Sequence, residues 1–324
     1  MKNRIELRHL RYFVAVAEEK SFTRAAERLH MQQPPLSQQL KALESQLGTI
    51  LFDRLPRGVE LTAAGEAFLE DARAVLVDVS AATARAKRVG SGVEGTLAVG
   101  LASSAATHAV VPSLIAAFHE RYPEVYLKFV EGNAATLTEA VVAREADVAL
   151  LRAPVDQPPE VRFQRLLQEP MVAALARKHP LAAKARGRSP PWVSLTELAA
   201  SPLILTRRPG APGMYADLLE ACADAGLTPT IGTEVGNMLT NILMVAAGVG
   251  VSVVPASMKG IQASLVDYVP LRGAARLVAP LTVLYRREET NPTVGRFIAQ
   301  ARELSRTTDV IRTEQRPPKI RSRA

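Results

Sequence analysis

The chain has 324 residues, 48% hydrophobic and 22% charged, a composition typical of a globular protein with about two domains. Its single cysteine, Cys222, excludes an internal disulfide and a cysteine-rich metal site. The net charge of +8 favours an anionic partner. No apolar run approaches the ~20 residues of a membrane span, and the first residues lack a secretory signal pattern. A cytoplasmic protein without membrane contact is therefore expected.

Three short helices and a basic hairpin are predicted within the first sixty residues. Ser21 is a natural N-cap for the second helix, and Gly48 ends the third. This order is typical of a winged helix-turn-helix domain, although a small helical protein-interaction domain would show the same helix spacing. Apolar spacing and turn residues predict helices over 7–19, 22–30 and 34–47 and strands over 51–52 and 59–61.

The outward face of the third helix is polar and suits the major groove of DNA. Glutamine can read adenine through two hydrogen bonds, serine pairs with several base edges, and proline can touch a thymine methyl. Arginines of the wing and groups at the start of the second helix are placed for phosphates. The candidate DNA-binding residues are Thr23, Arg24, Gln33, Pro34, Pro35, Ser37, Gln38, Lys41, Arg54 and Arg57.

A family resemblance covers residues 6–65, ELRHLRYFVAVAEEKSFTRAAERLHMQQPPLSQQLKALESQLGTILFDRLPRGVELTAAG. This run resembles the DNA-binding half of the LysR-type transcriptional regulators. The phrases ELRHLRYFVAVAEE and QPPLS fit the aromatic-catabolism branch, whose members respond to muconate, benzoate or phenylpropionate. The resemblance implies base contacts from 33–38 and backbone contacts from Arg54 and Arg57. Many members have arginine in place of Gln38, so an altered base preference is expected.

A long helix with one narrow apolar seam is predicted from Glu66 to Val89. Its apolar residues recur at alternating spacings of four and three, which is a heptad pattern. Such a seam pairs with another chain or packs on its own domain. The resemblance implies a dimerising helix, hence a homodimer or homotetramer on a dyad-symmetric operator. Gly90, Gly92 and Gly95 are predicted to form a flexible hinge. The candidate dimerisation residues are Phe68, Ala72, Val75, Val79, Ala82, Ala86 and Val89.

Short strands alternate with helices from Thr96 onward, which predicts an α/β fold with a parallel sheet. Two sets of strands indicate two subdomains with a cleft between them. The resemblance extends to 93–305 and implies the two-lobe fold of periplasmic binding proteins. The predicted strands are 96–101, 125–131, 147–151, 172–176, 203–205, 230–234, 251–254 and 281–285, and the predicted helices are 106–121, 136–144, 213–225, 237–247 and 292–304.

The fold class is therefore α/β multidomain, with three folded parts and a tail. The tail is basic, without apolar periodicity, and is predicted to be disordered; an accessory nucleic-acid arm is the alternative to a solvated end. The predicted parts are a winged helix-turn-helix domain at 1–63, a linker helix at 64–92, an effector-binding domain at 93–304 with lobe one at 93–166 and 270–304 and lobe two at 167–269, and the tail at 305–324.

Polar residues follow the carboxyl ends of several predicted strands, where ligand sites open in α/β folds. Hydroxyl groups at a helix start suit a carboxylate, and arginine can hold one through two hydrogen bonds. The alternatives are that the serines only cap a helix and that Arg152 pairs with an acid. The resemblance implies an aromatic acid or ring-cleavage dicarboxylate, although the hydroxyl residue that this branch usually has near Asn133 and Ala134 is either shifted to Thr136 or lost in this chain. The candidate effector-binding residues are Ser103, Ser104, Asn133, Arg152, Thr206, Arg207 and Arg208.

Enzyme signatures are lacking. The five histidines have no metal-ligand spacing, and no nucleophile elbow or Walker A loop occurs. Cys222 lies in an apolar helical stretch and is predicted to be a buried thiol. A regulator without cofactor or metal is expected, with double-stranded DNA, a small anionic effector and RNA polymerase as partners. The alternative is a two-lobe binding protein or enzyme whose N-terminal domain makes protein contacts.

Overall fold

The computed structural model describes residues 5–56, 58–152, 157–206, 215–273 and 277–314, with side chains up to Arg306. The chain divides into two compact units, Met1–Arg88 and Val89–Ala324. The elements of the first unit are α1 (Leu7–Glu19), α2 (Phe22–Arg28), α3 (Gln33–Leu47), β1 (Phe52–Leu55), β2 (Gly58–Leu61) and α4 (Ala63–Ser91), whose last three residues belong to the second unit.

The three helices and the hairpin predicted for the first unit are present. The Ser21 hydroxyl accepts a hydrogen bond from the Arg24 amide and caps α2, as predicted. Helix α2 ends at Arg28 rather than at residue 30, and Gly48 ends α3 with φ of +71°, a backbone conformation that favours glycine. Strands β1 and β2 pair antiparallel as the wing.

An aromatic cluster organises the core of the first unit. The fully buried ring of Phe13 lies 5.1 Å from that of Phe52 in the wing and 5.0 Å from that of Phe68 in α4. Ala72, one turn further along α4, is 1% exposed in the same core. The first two positions of the predicted dimer seam are therefore used inside the unit. This is the alternative that the sequence left open for the seam, and Ala72 has almost no surface left for a partner chain, whereas Phe68 is half-buried.

The second unit is built on a mixed sheet, in which β6 and β12 pair antiparallel with their neighbours, and this corrects the prediction of a parallel sheet. Its strands are ordered β4-β3-β5-β12-β6-β11-β7, with β10 also paired to β6, while β8 and β9 form a separate pair. Its elements are β3 (Glu94–Ala102), α5 (Ser103–Ala106), α6 (Val110–Arg121), β4 (Glu124–Gly132), α7 (Ala134–Val142), β5 (Val148–Leu151), β6 (Val161–Ala176), α8 (Pro180–Arg186), β7 (Val193–Ser194), α9 (Leu195–Ala199), β8 (Leu203–Thr206), α10 (Ala216–Asp224), β9 (Ile231–Val235), α11 (Met238–Ala246), β10 (Ser252–Pro255), a 3₁₀ helix (Ala256–Gly260), β11 (Val266–Arg272), β12 (Val278–Arg286) and α12 (Pro292–Glu314).

Two lobes with separate apolar cores share this sheet, and strands β6 and β12 run through both. Along β6 the core changes between Leu167 and Met171, and along β12 it changes between Ala279 and Leu281. The chain therefore returns to lobe one near residue 280, later than the predicted 270. Strand β11 consequently belongs wholly to lobe two.

Several elements of the second unit were missed or shortened by the sequence patterns. Strand β6 has 16 residues, of which only the apolar end 172–176 was predicted. Helices α8 and α9 and strands β7 and β11 were not predicted. Helix α12 continues to Glu314, so the prediction of disorder is wrong for 305–314, and residues 315–324 lie outside the described part.

The predicted glycine hinge is a close-packed junction. Gly90 lies inside α4, and Gly95 lies inside β3. Gly92 is buried with φ of +73°, and a Cβ there would come within 2.6 Å of the Thr293 amide nitrogen. Glycine is required at 92 by a left-handed backbone and by close approach to α12, which corrects the expectation of a flexible segment.

Candidate nucleic-acid interface and inter-lobe site

Helix α3 carries opposite properties on its two faces. Leu36, Leu40 and Leu43 are at most 2% exposed and fix the helix to the core of the first unit. The opposite face presents polar groups and two prolines. Of the predicted DNA-binding residues on α3, Ser37 is half-buried, and the exposed ones are Gln33, Pro34, Pro35, Gln38 and Lys41.

The wing arginine Arg54 is held against the N-terminal part of α3. Its Nη2 donates to the Ser37 hydroxyl at 3.3 Å, and its guanidinium lies 5.4 Å from the centre of the Phe22 ring. Two predicted DNA-binding residues from different elements are thereby brought together. The other predicted wing residue, Arg57, lies outside the described part of the chain.

The start of α2 adds a second exposed group of predicted contacts. Thr23 and Arg24 are both exposed. The Arg24 guanidinium binds the carbonyl and carboxylate of Glu19, the last residue of α1. The Arg24 side chain is 62% exposed, so breaking its ion pair with Glu19 in order to bind a DNA phosphate costs little free energy.

Arg152 lies in a buried polar cluster where the two lobes meet. Only 4% of its side chain is exposed, and it forms an ion pair with Glu169, with 2.8 Å between Nη2 and Oε1. Its Nε and Nη2 donate to the Ser104 carbonyl at 3.1 and 2.7 Å. Nη2 also donates to the Ser257 hydroxyl at 3.0 Å. Arg152 is therefore paired with an acid, which is the alternative that the sequence left open, and its role toward an effector stays a prediction.

The ion pair is completed by residues that the sequence analysis did not select. Glu169 accepts two hydrogen bonds from Ser257, at 2.6 Å from its amide and 2.9 Å from its hydroxyl. Thr107 of lobe one lies 3.2 Å from the same hydroxyl. Ser257 could have been found, because it follows strand β10 at its carboxyl end. Glu169 carries no such signal beyond being the one acid of β6.

One donor of this cluster has no partner. Arg152 Nη1 is buried and makes no hydrogen bond to any described residue. Burial lowers the pKa of Arg152 from its ordinary value, and the neighbouring Glu169 opposes that shift. A buried donor without an acceptor costs free energy, so an acceptor supplied from outside would be stabilised there.

The remaining predicted effector residues have local roles in the described structure. The Asn133 side-chain oxygen caps α7, accepting from the amides of 135 and 136 at 3.0 Å each. Thr136 reciprocates by accepting from the Asn133 amide. The Thr206 hydroxyl accepts from Asn241 at 3.1 Å within a buried network. Among described residues, no hydrogen bond joins Asn133 or Thr206 to Arg152, and Arg207 and Arg208 lie outside them.

The serines after β3 do not serve as a helix cap. Helix α5 begins at Ser103, and no side chain caps it. Ser103 and Ser104 are both half-buried, and the backbone of Ser104 is what binds Arg152. The alternative that these hydroxyls only cap a helix is therefore wrong.

Signs of other chemistry are few in the described part of the chain. No group of three or more histidine, cysteine, aspartate or glutamate residues there could hold a metal ion. Among the same residues, no helix combines the length and the hydropathy that crossing a bilayer requires. Cys222 is buried as predicted, and this burial raises the pKa of its thiol.

Comparison with known families decides what this arrangement belongs to. Residues 7–66 match the model of the bacterial regulatory helix-turn-helix protein, lysR family, and residues 90–306 match that of the LysR substrate binding domain. The chain belongs to the LysR family. It is a DNA-binding transcriptional regulator with an effector-binding domain, and not an enzyme.

Relatives of this LysR-family regulator match it over most of its length. The transcriptional regulator BudR of Raoultella terrigena is 41% identical over 91% of this chain and 99% of its own. The transcriptional regulator BenM of Acinetobacter baylyi is 35% identical over 82% of this chain and 86% of its own. The crystal structure of CbnR matches with a TM-score of 0.78 and 30% identity, covering 92% of this chain and all of that one.

Proposed function

We propose that a small organic carboxylate switches this regulator by binding at Arg152, where the two lobes meet. The observation that carries the proposal is the buried Arg152 guanidinium with Nη1 unpartnered. A carboxylate accepts strongly from such a donor. Similarity to the aromatic-catabolism branch supports an aromatic acid or a ring-cleavage dicarboxylate as the effector.

The same cluster supplies a way for the ligand to act. Glu169 keeps its two hydrogen bonds from Ser257 when the guanidinium turns toward an incoming carboxylate. The contact between Arg152 and Ser257, which joins lobe one to lobe two, is then weakened. A ligand with different affinities for the two lobe arrangements shifts their populations. The hydroxyls of Ser103 and Ser104 and the residues Asn133, Thr206, Arg207 and Arg208 are proposed as further lining of this site.

The protein is proposed to bind DNA as a dimer, with one DNA-reading surface from each chain. Val75 and Val89 on α4 are 42% and 45% exposed, and the seam positions between them are open or half-open. Pairing of two α4 helices along the residues from 75 to 89 would join two winged domains, so a dyad-symmetric operator is proposed. The regulator would act in the cytoplasm, as a homodimer or homotetramer, together with RNA polymerase.

The effector proposal is tested by calorimetric titration of the full chain with sodium benzoate and with sodium cis,cis-muconate. Arg152→Lys keeps the positive charge beside Glu169 but loses the planar pair of donors. We expect it to weaken binding of the responding ligand at least tenfold and to leave operator binding unchanged. Arg188→Ala, which removes an arginine paired with Glu197 and not with Glu169, is the control. Equal affinity in Arg152→Lys and the wild type would refute the site.

The dimer proposal is tested by light scattering of the full chain at micromolar concentration. Ala82→Asp places a charge within the seam of α4, and Ala84→Asp places the same charge on the opposite face of the helix. We expect only Ala82→Asp to halve the mass. An unchanged mass in Ala82→Asp would show that the seam is not the interface.

A further inference from the structure

A cavity lies in the effector-binding unit, apart from the Arg152 cluster. Its volume is about 460 Å³, and it is partly open to solvent. The C-terminal end of α6, the first half of α12 and Ser91, the last residue of α4, line it. No residue of this lining belongs to the proposed effector site.

Two arginines give the cavity a positive wall. The guanidinium of Arg296 lies 5.2 Å, and that of Arg121 lies 5.7 Å, from the centre of the Tyr122 ring. Arg296 donates from Nε to the Ser91 carbonyl at 2.6 Å and from Nη1 to the Tyr122 hydroxyl at 3.3 Å. Its Nη2 makes no hydrogen bond to a described residue. The ion pair of Arg121 with Glu303 spans 3.8 Å between exposed side chains, so it is weak.

The floor of the cavity offers an acceptor and a space. The side-chain oxygen of Gln300 is buried and has no hydrogen-bond partner among the described residues. Gly295 lies five residues before Gln300 on α12, and a Cβ at Gly295 would meet nothing within 4 Å. A donor placed in this space would satisfy the Gln300 oxygen once the Gln300 side chain turns toward the cavity, and the isolation of this oxygen otherwise costs free energy.

We propose that this cavity binds a small carboxylate bearing a hydroxyl or amino group on the adjacent carbon. The carboxylate would pair with Arg296 and Arg121, and the hydroxyl or amino group would donate to the Gln300 oxygen. Donors on one wall and a lone acceptor on the floor select this class over simple carboxylates, which leave the Gln300 oxygen unpaired.

The position of the cavity gives its ligand a route to the linker helix. Arg296 binds the carbonyl of Ser91, where α4 ends, and Gly92 is packed against the first turn of α12. A carboxylate on Arg296 competes with the Ser91 carbonyl for the same guanidinium. The ligand therefore weakens the hydrogen bond between Arg296 and Ser91, which attaches the end of the linker helix to α12.

The test is titration of the full chain with sodium lactate and sodium propionate, which differ by one hydroxyl, followed by nuclear magnetic resonance of the ligand. We expect lactate to bind about fivefold more tightly than propionate, as one hydrogen bond predicts. Gln300→Leu removes the acceptor and should equalise the two affinities. Gly295→Leu fills the space and should abolish binding of both, with circular dichroism to verify that each variant is folded.

The control separates this site from the effector site. Arg152→Lys should bind lactate as the wild type does, whatever its response to benzoate or muconate. Absence of lactate binding to the folded wild type would overturn the proposal. So would a preference for lactate over propionate that survives in Gln300→Leu, or unchanged lactate binding in a folded Gly295→Leu. If Gly295→Leu does not fold, Gln300→Leu alone decides.

Discussion

Helix α3 leaves Gln33, Gln38 and Lys41 exposed, whereas the inter-lobe cluster buries Arg152 and pairs it with Glu169. The exposed side chains are free to meet a large polyanion without leaving protein partners. The buried guanidinium can accept a ligand only if its present contacts rearrange. An exposed polar face thus suits binding, and a buried, nearly satisfied cluster suits switching. Substitutions should separate these two regions. Those on the exposed face of α3 should change DNA binding, and those in the inter-lobe cluster should change the stability of the fold.

The largest expected effect is on folding of the second unit. Glu169→Ala leaves the Arg152 charge buried without its acid, which costs about 3–5 kcal/mol of unfolding free energy. The double variant Arg152→Met with Glu169→Gln should cost less than Glu169→Ala, because no charge remains. Urea unfolding followed by fluorescence of Trp192, the only tryptophan, reports on this unit. A loss below about 1 kcal/mol in Glu169→Ala would contradict the account.

The two faces of α3 provide the next contrast. Leu40→Ala should cost about 2–5 kcal/mol of unfolding free energy, because it opens a cavity in the core. Gln38→Ala, two residues away on the exposed face, should change it by less than about 0.5 kcal/mol. Far-ultraviolet circular dichroism during urea unfolding of the full chain measures both. Equal losses would show that the polar face is also structural.

On the exposed face the expected effects are on DNA binding. Gln33→Ala should lower discrimination at one operator position by about 1–3 kcal/mol, if glutamine reads a base there. Arg54→Ala should weaken binding to all sequences and reduce the slope of log affinity against log salt concentration by about 1. Binding titrations across a salt series measure both effects. An unchanged slope in Arg54→Ala would remove the wing from the interface.

A smaller effect on stability is expected where a polar side chain caps a helix. Asn133→Ala should cost about 1 kcal/mol of unfolding free energy, because the amides at the start of α7 lose their acceptor. Asn133→Ser should retain most of the stability, since serine also caps helices. Trp192 fluorescence during urea unfolding measures this. A loss of stability in Asn133→Ser equal to that in Asn133→Ala would contradict the capping role, and weaker effector binding in a fully stable Asn133→Ser would support the proposed place of Asn133 in the effector site.

The smallest effect concerns a surface ion pair. Arg188 and Lys184 lower the pKa of the Glu197 carboxyl well below its usual range. Because the folded-state pKa is the lower one, the pair contributes stability at neutral pH and loses it as the pH falls below about 5. Glu197→Gln keeps an acceptor for the Ser194 amide and should cost about 0.5–1 kcal/mol at pH 7 and less at pH 3, where part of the ion pair's contribution has been lost. A pH-independent difference would contradict this origin.

Prediction from the sequence succeeded where contacts are local. Helix α1 was predicted to its exact residues in 7–19, because an amphipathic period and neighbouring turns determine it. Strand β6 was predicted only at its apolar end. Its first part carries polar residues, since it crosses from one lobe core to the other, and no periodic pattern marks such a strand.

The sequence by itself determined the LysR family, the winged helix-turn-helix and the polar face of α3, because periodicity, caps and a long uninterrupted motif are read along the chain. Only the tertiary structure decided that Arg152 is paired with Glu169, that Phe68 and Ala72 serve an internal core, and that Gly92 is a packed junction. These facts depend on groups far apart in sequence, whose meeting is determined by packing and hydrogen bonding between different helices and strands.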